Sequence, residues 1–353
     1  MKIAIVASPF ASVPPIKYGG SERVIYYLIK GLIEKGHEPI LLGTGDSDVD
    51  CDLIPIVRRA IFFPSDLKNI ALFNRRVRLI EKRTERKLKM LLPEIDVIHS
   101  HKFDLKGFGS FPSLTTLHDP FVLDRPKYIN NFPLTYYKER KKLNYVAISH
   151  SQQASYPDLN YAGVVYNGED PSEFPIVLKP NNYVCFVGRF DREKNPHLAI
   201  QLAVSQGIHI KLVGKSDYGS RSYFNEEIKP YLDHPLVEFL GELDRSETIK
   251  VLSKAKCNLH PTGYREPFGL TVMEAGYCGT PTLAIAKGSM SELIEDNKTG
   301  ILVEDFVQGY HVLKKCFSLD REYIATKTRK RFNYHKMTQD YIHAYRRVIK
   351  TSK

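Results

Sequence analysis

Short apolar runs alternate with amphipathic segments along this chain, and the alternation restarts once. The run over residues 3–7 predicts a strand. A loop holding Pro14, Pro15, Gly19 and Gly20 follows. Residues 21–35 then predict a helix, because Val24, Ile25, Leu28, Ile29 and Leu32 recur at helical spacing, with Ser21 to cap its start and Gly36 to end it. A strand over 38–42 completes a βαβ unit. A basic helix is predicted over about residues 67–92, then short strands at 97–99, 114–117, 146–148 and 164–165.

Asn167-Gly168, with Pro171 and Pro175 close behind, marks a linker. Beyond it the pattern begins again. Strands are predicted at 183–187, 209–213, 237–240, 258–260 and 282–285, and helices at 197–205, 246–254, from about Leu270, and near 289–294. Residues 329–349 read as a helical tail. The expected class is α/β, with domains at 1–170 and 171–330 and a closing helix over 331–353. In open parallel sheets ligands sit beyond the carboxyl ends of the strands. The informative loops are therefore those after Ala7, Leu117, Val187, Val213 and His260.

Composition narrows the class. A chain of 353 residues with 42% hydrophobic and 26% charged residues is globular and long enough for two cores. No apolar run approaches the roughly 18–20 residues that span a bilayer. The first residues carry one Lys and no small-residue cleavage pattern, so no signal peptide is expected. Five scattered cysteines without CxxC spacing argue against a disulfide framework or a zinc knuckle, and fit a reducing cytoplasm. Of the net charge of +11, most resides in residues 56–145, which hold 19 Lys and Arg against 9 Asp and Glu. Such a patch suits nucleic acid, anionic headgroups or an acidic substrate, or is simply a solvated helix surface.

The candidate chemistry lies on the strand-end loops. Glu266-Pro-Phe-Gly-Leu-Thr-Val-Met-Glu274 places a helix start after a strand. The amides of Phe268, Gly269, Leu270 and Thr271 form a natural anion site there, and Gly269 allows close backbone approach. Glu266 and Glu274 flank that site and suit hydroxyls on either side of it, as in a sugar diphosphate followed by a ribose. Arg189 and Lys194, in Gly188-Arg-Phe-Asp-Arg-Glu-Lys194-Asn, can clamp a diphosphate and stabilise charge growing on it. Tyr18-Gly19-Gly20-Ser21-Glu22 resembles a phosphate-approach turn without being a dinucleotide fingerprint. His118, ahead of Asp119-Pro120, ends a strand and suits either a substrate hydroxyl or a structural hydrogen bond. His99 and His101 form an HxH pair with no third ligand at metal-site spacing.

Together these segments resemble glycosyltransferase family 4, most closely its compact avilamycin-type members, over essentially the whole chain. The matching segments are Gly19-Gly20-Ser-Glu-Arg, Asn167-Gly168, Gly188-Arg189 through Lys194-Asn195, Glu266 with Glu274, and the tail residues Phe332, Met337, Tyr341 and Tyr345. The resemblance implies a GT-B fold: two Rossmann-like parallel-sheet domains facing across a cleft, an acceptor domain and then a donor domain, with the last helix crossing back to the first. It implies a retaining hexosyltransferase that uses a nucleotide-diphosphate sugar, a UDP- or GDP-sugar foremost. Gly20, beside Gly19, would bring a backbone N–H to the diphosphate, and Arg189 and Lys194 would bind that diphosphate. Glu266 would hold the transferred sugar, the amides of Phe268, Gly269, Leu270 and Thr271 the phosphate and sugar, and Glu274 the ribose. His118 would contact the donor sugar, and the base would rest near Lys215 and Leu243. The stretch Val213-Gly214-Lys215-Ser-Asp-Tyr departs from the family's Gly-rich pattern.

With no Asp-x-Asp at the donor loops, no metal and no other cofactor is expected. The acceptor is open, with an anionic or membrane-associated one suggested by the basic first half, and no nucleic acid expected. The enzyme is expected in the cytoplasm or peripheral to a membrane surface. The alternatives are another GT-B enzyme, a sugar-nucleotide epimerase or phosphorylase, and a non-catalytic basic binding protein.

Overall fold

The computed structural model describes residues 1–17, 19–61, 70–102, 105–119, 141–216 and 220–352. The chain forms two compact units, Met1–Glu169 with Tyr334–Lys353, and Asp170–Asn333.

The first unit is built on a seven-stranded sheet ordered β3-β2-β1-β4-β5-β6-β7. The strands are β1 (Lys2–Val6), β2 (Glu38–Thr44), β3 (Asp52–Val57), β4 (Val97–Ser100), β5 (Ser113–Leu117), β6 (Asn144–Ala147) and β7 (Asn160–Val164). Every pairing is parallel. A parallel sheet is covered on both faces, which explains why Ile3, Ala4, Ile5 and Val6 form an unbroken buried run. The order reverses at β1, so the crossovers after β1 and β4 leave on opposite sides and open a crevice at the carboxyl ends. Helix α1 (Gly20–Glu34) buries Val24, Ile25, Leu28 and Leu32, and α2 (Ile70–Leu91) lies over the β3 side. A third helix, α3 (His150–Ser155), starts on a Ser149 side-chain cap.

The second unit carries a six-stranded parallel sheet ordered β10-β9-β8-β11-β12-β13. Its strands are β8 (Tyr183–Val187), β9 (His209–Val213), β10 (Val237–Gly241), β11 (Asn258–His260), β12 (Thr282–Ile285) and β13 (Gly300–Val303). Its helices include α4 (Pro196–Ser205), α5 (Arg245–Lys254), α6 (Leu270–Tyr277), α7 (Met290–Leu293), α8 (Gly309–Cys316) and α9 (Arg321–Arg331). Val184, Phe186, Ile200, Leu202, Leu212 and Leu283 form the centre of its core. The buried Arg321 guanidinium donates to the carbonyls of Ser253 (2.7 Å) and Ala255 (2.9 Å) and to Thr280 Oγ1 (2.7 Å), tying α9 to the ends of α5 and α6.

The chain then returns to the first unit as α10 (Tyr334–Thr351), which buries Met337, Tyr341, Tyr345 and Val348. A Cβ on Gly31 of α1 would collide with the Thr338 side chain of α10, so the close crossing of these helices requires glycine there.

Three differences from the sequence expectations have physical causes. The tail is two helices, because α9 ends at Arg331 and α10 begins at Tyr334. Strands β3 and β13 carried no clear pattern: the first is interrupted by Pro55 and largely unburied, and the second is a four-residue run that opens on Gly300 and meets the acids Glu304 and Asp305. Ser21 does not cap α1. The helix starts at Gly20, so Ser21 lies within its first turn and donates to Glu22 Oε2 at 2.9 Å. Tyr18, the start of the basic helix over residues 67–69, Pro120, and Asp217 and Tyr218 lie outside the described residues.

Candidate active site

In the second unit the candidate residues gather at the carboxyl ends of β8, β9, β10 and β11. The loop after β8 is shaped by its own side chains. Phe190 is buried against Phe186, Phe224 and Phe239, and its N–H donates to the Lys215 carbonyl at 2.8 Å. Asp191 Oδ1 accepts from the N–H groups of Glu193 (3.1 Å) and Lys194 (2.9 Å), a local turn that sets the direction of Lys194. Asn195, left-handed at φ 49°, donates from Nδ2 to the Pro261 carbonyl at 3.1 Å, and the Gly263 N–H donates to the Glu193 carbonyl at 3.0 Å. Those two bonds fasten the loop after β8 to the loop after β11.

The pairing of charges across these loops is the central feature. Lys194 Nζ donates to Glu266 Oε2 in a short ion pair, with both side chains mostly withdrawn from solvent. Burial pushes the Glu266 carboxyl up, but the Lys194 ammonium beside it, aided by His260, holds it below the ordinary carboxylate value. The Lys194 ammonium also lies 5.2 Å from the centre of the Tyr264 ring. His260, whose Nε2 is 3.8 Å from Glu266 Oε2, is lowered to about 4 by burial and by Lys194 and so is neutral near pH 7. Arg189 bridges Asp191 at 3.2 Å and Glu193 at 3.5 Å.

Gly269 precedes α6 in a left-handed conformation (φ 91°) that favours glycine, and no side chain caps the helix. The Val272 N–H turns back to the Gly269 carbonyl at 3.1 Å, and the amides of Leu270 and Thr271 before it are left to a ligand or water. The Phe268 ring is buried against Phe332, and the Phe268 carbonyl accepts from Ser289 Oγ at 2.6 Å, so this residue offers a ligand its backbone rather than its ring. Leu270 and Thr271 are half-buried at the helix start. Glu274, one turn on, is held by Arg245 at 3.3 Å, which also bridges Glu173 at 3.1 Å and lies 5.0 Å from the Phe174 ring centre. Lys215 pairs with Glu242 at 3.0 Å, and the half-buried Leu243 follows one residue later.

Gly19, Gly20 and His118 belong to the first unit: Gly19 ends the loop after β1, Gly20 opens α1, and His118 follows β5. Glu22 is buried there and accepts from Ser8 Oγ at 2.6 Å, binding the loop after β1 to the start of α1. His118 Nε2 shares a hydrogen bond of 2.7 Å with His101 Nδ1. The two rings are stacked, and His101 in turn lies against His99, tilted with centroids 4.1 Å apart; His99 is bonded to Tyr345 and Thr116 at 2.8 Å each. Burial lowers His118 to about 4, against a smaller upward pull from Asp119. Gln152 on α3 donates to the Leu117 and Asp119 carbonyls at 2.9 and 3.1 Å and so fixes the backbone on both sides of His118.

Sequence reasoning missed Arg245, Tyr264, His260, Gln152 and the coupling of His101 to His118. Arg245 was hidden because it pairs across a long stretch of chain, although it sits directly after an Asp244 capping box that the sequence does display. The HxH pair belongs to a buried cluster of imidazoles that burial holds neutral. Among the described residues no group of three or more His, Cys, Asp or Glu could hold a metal ion.

The family description "Glycosyltransferase Family 4" matches residues 18–173, and "Glycosyl transferases group 1" matches residues 170–313. The chain is a family 4 glycosyltransferase. This glycosyltransferase is 22% identical to a glycogen synthase of Mycobacterium tuberculosis over 349 residues, covering 85% of this chain and 82% of that one. It has the GT-B fold of AviGT4, a glycosyltransferase involved in avilamycin A biosynthesis (TM-score 0.74, 21% identity, 99% and 98% of the two chains). HepE of Anabaena, solved in complex with UDP and glucose, shares that fold (TM-score 0.72, 19% identity, 97% and 98% covered). Among the described residues of the glycosyltransferase, no helix is long and apolar enough to cross a membrane.

Proposed function

We propose that the enzyme is a retaining hexosyltransferase that uses a nucleotide-diphosphate sugar, with a UDP-sugar as the foremost donor. The observation that carries this reading is the Lys194–Glu266 ion pair beside the uncapped start of α6. A buried cation, a carboxylate and free helix amides side by side match the phosphate, hydroxyl and phosphate-oxygen groups of a sugar diphosphate. The UDP and glucose bound by HepE support the donor class.

Residues 170–333 form the donor unit, and 1–169 with 334–353 the acceptor unit. Arg189 and Lys194 bind the diphosphate, Glu266 holds the transferred sugar, the amides of Phe268, Gly269, Leu270 and Thr271 hold phosphate and sugar, and Glu274 takes the ribose. Arg245 positions Glu274. The base rests near Lys215 and Leu243, Gly19 and Gly20 bring backbone to the diphosphate, and neutral His118 donates to or accepts from the donor sugar.

The sugar C1–oxygen bond to the diphosphate breaks while the acceptor hydroxyl oxygen bonds to C1 on the same face. The hydroxyl proton passes to the departing phosphate oxygen. Fixed cations stabilise the charge that grows on the leaving group, so protein groups fill the role a metal has elsewhere. The acceptor is an anionic or membrane-associated hydroxyl compound, and the enzyme works peripheral to a membrane.

A donor-hydrolysis screen across UDP-, GDP-, ADP- and dTDP-sugars tests this. One donor class should be turned over with the anomeric configuration retained, and EDTA should leave the rate intact. Conversion of the sugar nucleotide to an epimer, or loss of activity in EDTA restored by a divalent ion, would overturn the corresponding part.

A further inference from the structure

Helix α2 carries a buried stripe and, about 120° round its axis, an exposed apolar line. Ile80, Thr84 and Leu88 are buried, and Phe73, Val77 and Leu91 pack beside them on the core of the first unit. Away from that stripe Leu72, Leu79 and Met90 are 67%, 60% and 73% exposed. At about 3.6 residues per turn these three fall on one line along the helix. Arg75, Arg76, Arg83 and Arg86 are exposed around that line, with Lys82 toward one edge, while Lys89 is turned away to pair with Glu85 at 2.6 Å. The acids of α2, Glu81 and Glu85, project well away from it.

Beside this face is a cavity of about 390 Å³ lined by Arg58, Arg59, Ala60 and Arg76. Arg58 and Arg59 come from the segment that follows β3, and Arg76 from the first half of α2. Arg59 faces Asp46, while Arg58 and Arg76 have no acidic partner among the described residues.

Cations alone would suit any polyanion. An apolar crest between them does not, because a phosphodiester backbone gives Leu72, Leu79 and Met90 nothing to enter. A bilayer interface satisfies both kinds of group: apolar side chains at the headgroup–acyl boundary, cations on the lipid phosphates. We propose that the solvent face of α2 docks on an anionic lipid bilayer, with the hollow of Arg58, Arg59 and Arg76 taking a lipid phosphate. The proposal deepens the peripheral-membrane part of the reading above and is independent of the donor chemistry.

The test is flotation of the full chain with phosphatidylglycerol–phosphatidylcholine vesicles against pure phosphatidylcholine vesicles, without donor. Binding should require the anionic lipid. The pair R75E and R83E should weaken it more than about tenfold, as should the triple variant L72S, L79S and M90S, which alters no charge. R58Q should weaken it by a smaller factor. Absence of vesicle binding, or a serine triple variant that binds as well as the parent, overturns the proposal; in the latter case competition by RNA would identify a polyanion instead. Donor hydrolysis and melting temperature, measured on the same variants, should match the parent. A loss of hydrolysis across all donors in the parent would fail the donor reading and leave the vesicle result standing.

Discussion

The enzyme holds its cations in two different ways. At the strand ends of the second unit Arg189, Lys194 and Arg245 are each tied to carboxylates and largely withdrawn from water. On α2 of the first unit the arginines stand exposed. Formal charge is the same, and its worth differs. A buried cation without its carboxylate carries a large desolvation cost, so it must be paired or must meet an anionic ligand. An exposed cation is screened and adds little until many act on one surface. The first arrangement suits recognition of one small anion, the second suits an extended one.

The sharpest way to break the comparison is to remove one member of the buried set. Lys194→Ala should lower turnover by roughly three orders of magnitude, the scale of a lost charge-stabilising donor, and should also lower the melting temperature because Glu266 loses its partner. Arg83→Ala on α2, as the matched exposed control, should change neither. Turnover within a few-fold of the parent in the Lys194 variant would remove that residue from the donor site.

A smaller effect is expected one step out. Arg245→Ala frees Glu274 without removing it, so KM for the donor should rise about tenfold while kcat changes little. An unchanged KM, measured by initial rates, would show that Arg245 does not position Glu274.

The smallest effect is on stability in acid. His260 has a folded pKa of about 4, below its ordinary 6.5. As pH falls from 7 the unfolded chain gains a proton that the native imidazole refuses, so stability is lost, by about 2 kcal/mol between pH 7 and 5. Burial lowers His99, His101 and His118 as well, which adds to the same trend in the first unit. Glu266 is depressed, so its contribution is lost only in more acidic solution. Urea midpoints at the two pH values check this, and equal midpoints would mean the imidazoles are not held neutral.

Much of this was legible along the chain because the site lies where periodicity breaks. Each apolar strand of the second sheet stops at a glycine, proline or charged cluster, and those breaks are the loops that converge. The pairing of Lys194 with Glu266 was not legible. It depends on β8 and β11 being neighbours in the sheet, a crossover that the sequence order conceals. His101 was obscured for a related reason: HxH spacing on a strand end looks the same whether the rings meet a metal or stack on a third ring from the next strand. Strand β3 was lost because Pro55 and its exposed positions break the apolar run, and β13 because its four residues, from a glycine to the edge of two acids, are too few to show a period.

Helix α10 has a consequence for synthesis. Its tyrosines complete the hydrogen bonds of His99 and Thr116, with Tyr345 on the first and Tyr341 on the second. The ribosome makes those tyrosines only after the whole of Asp170–Asn333. The first-made unit therefore waits with an incomplete core while the later-made unit, contiguous in sequence, is free to finish first. Released chains truncated after Asn333 should expose the first unit to protease and protect the second, an order of maturation opposite to the order of translation.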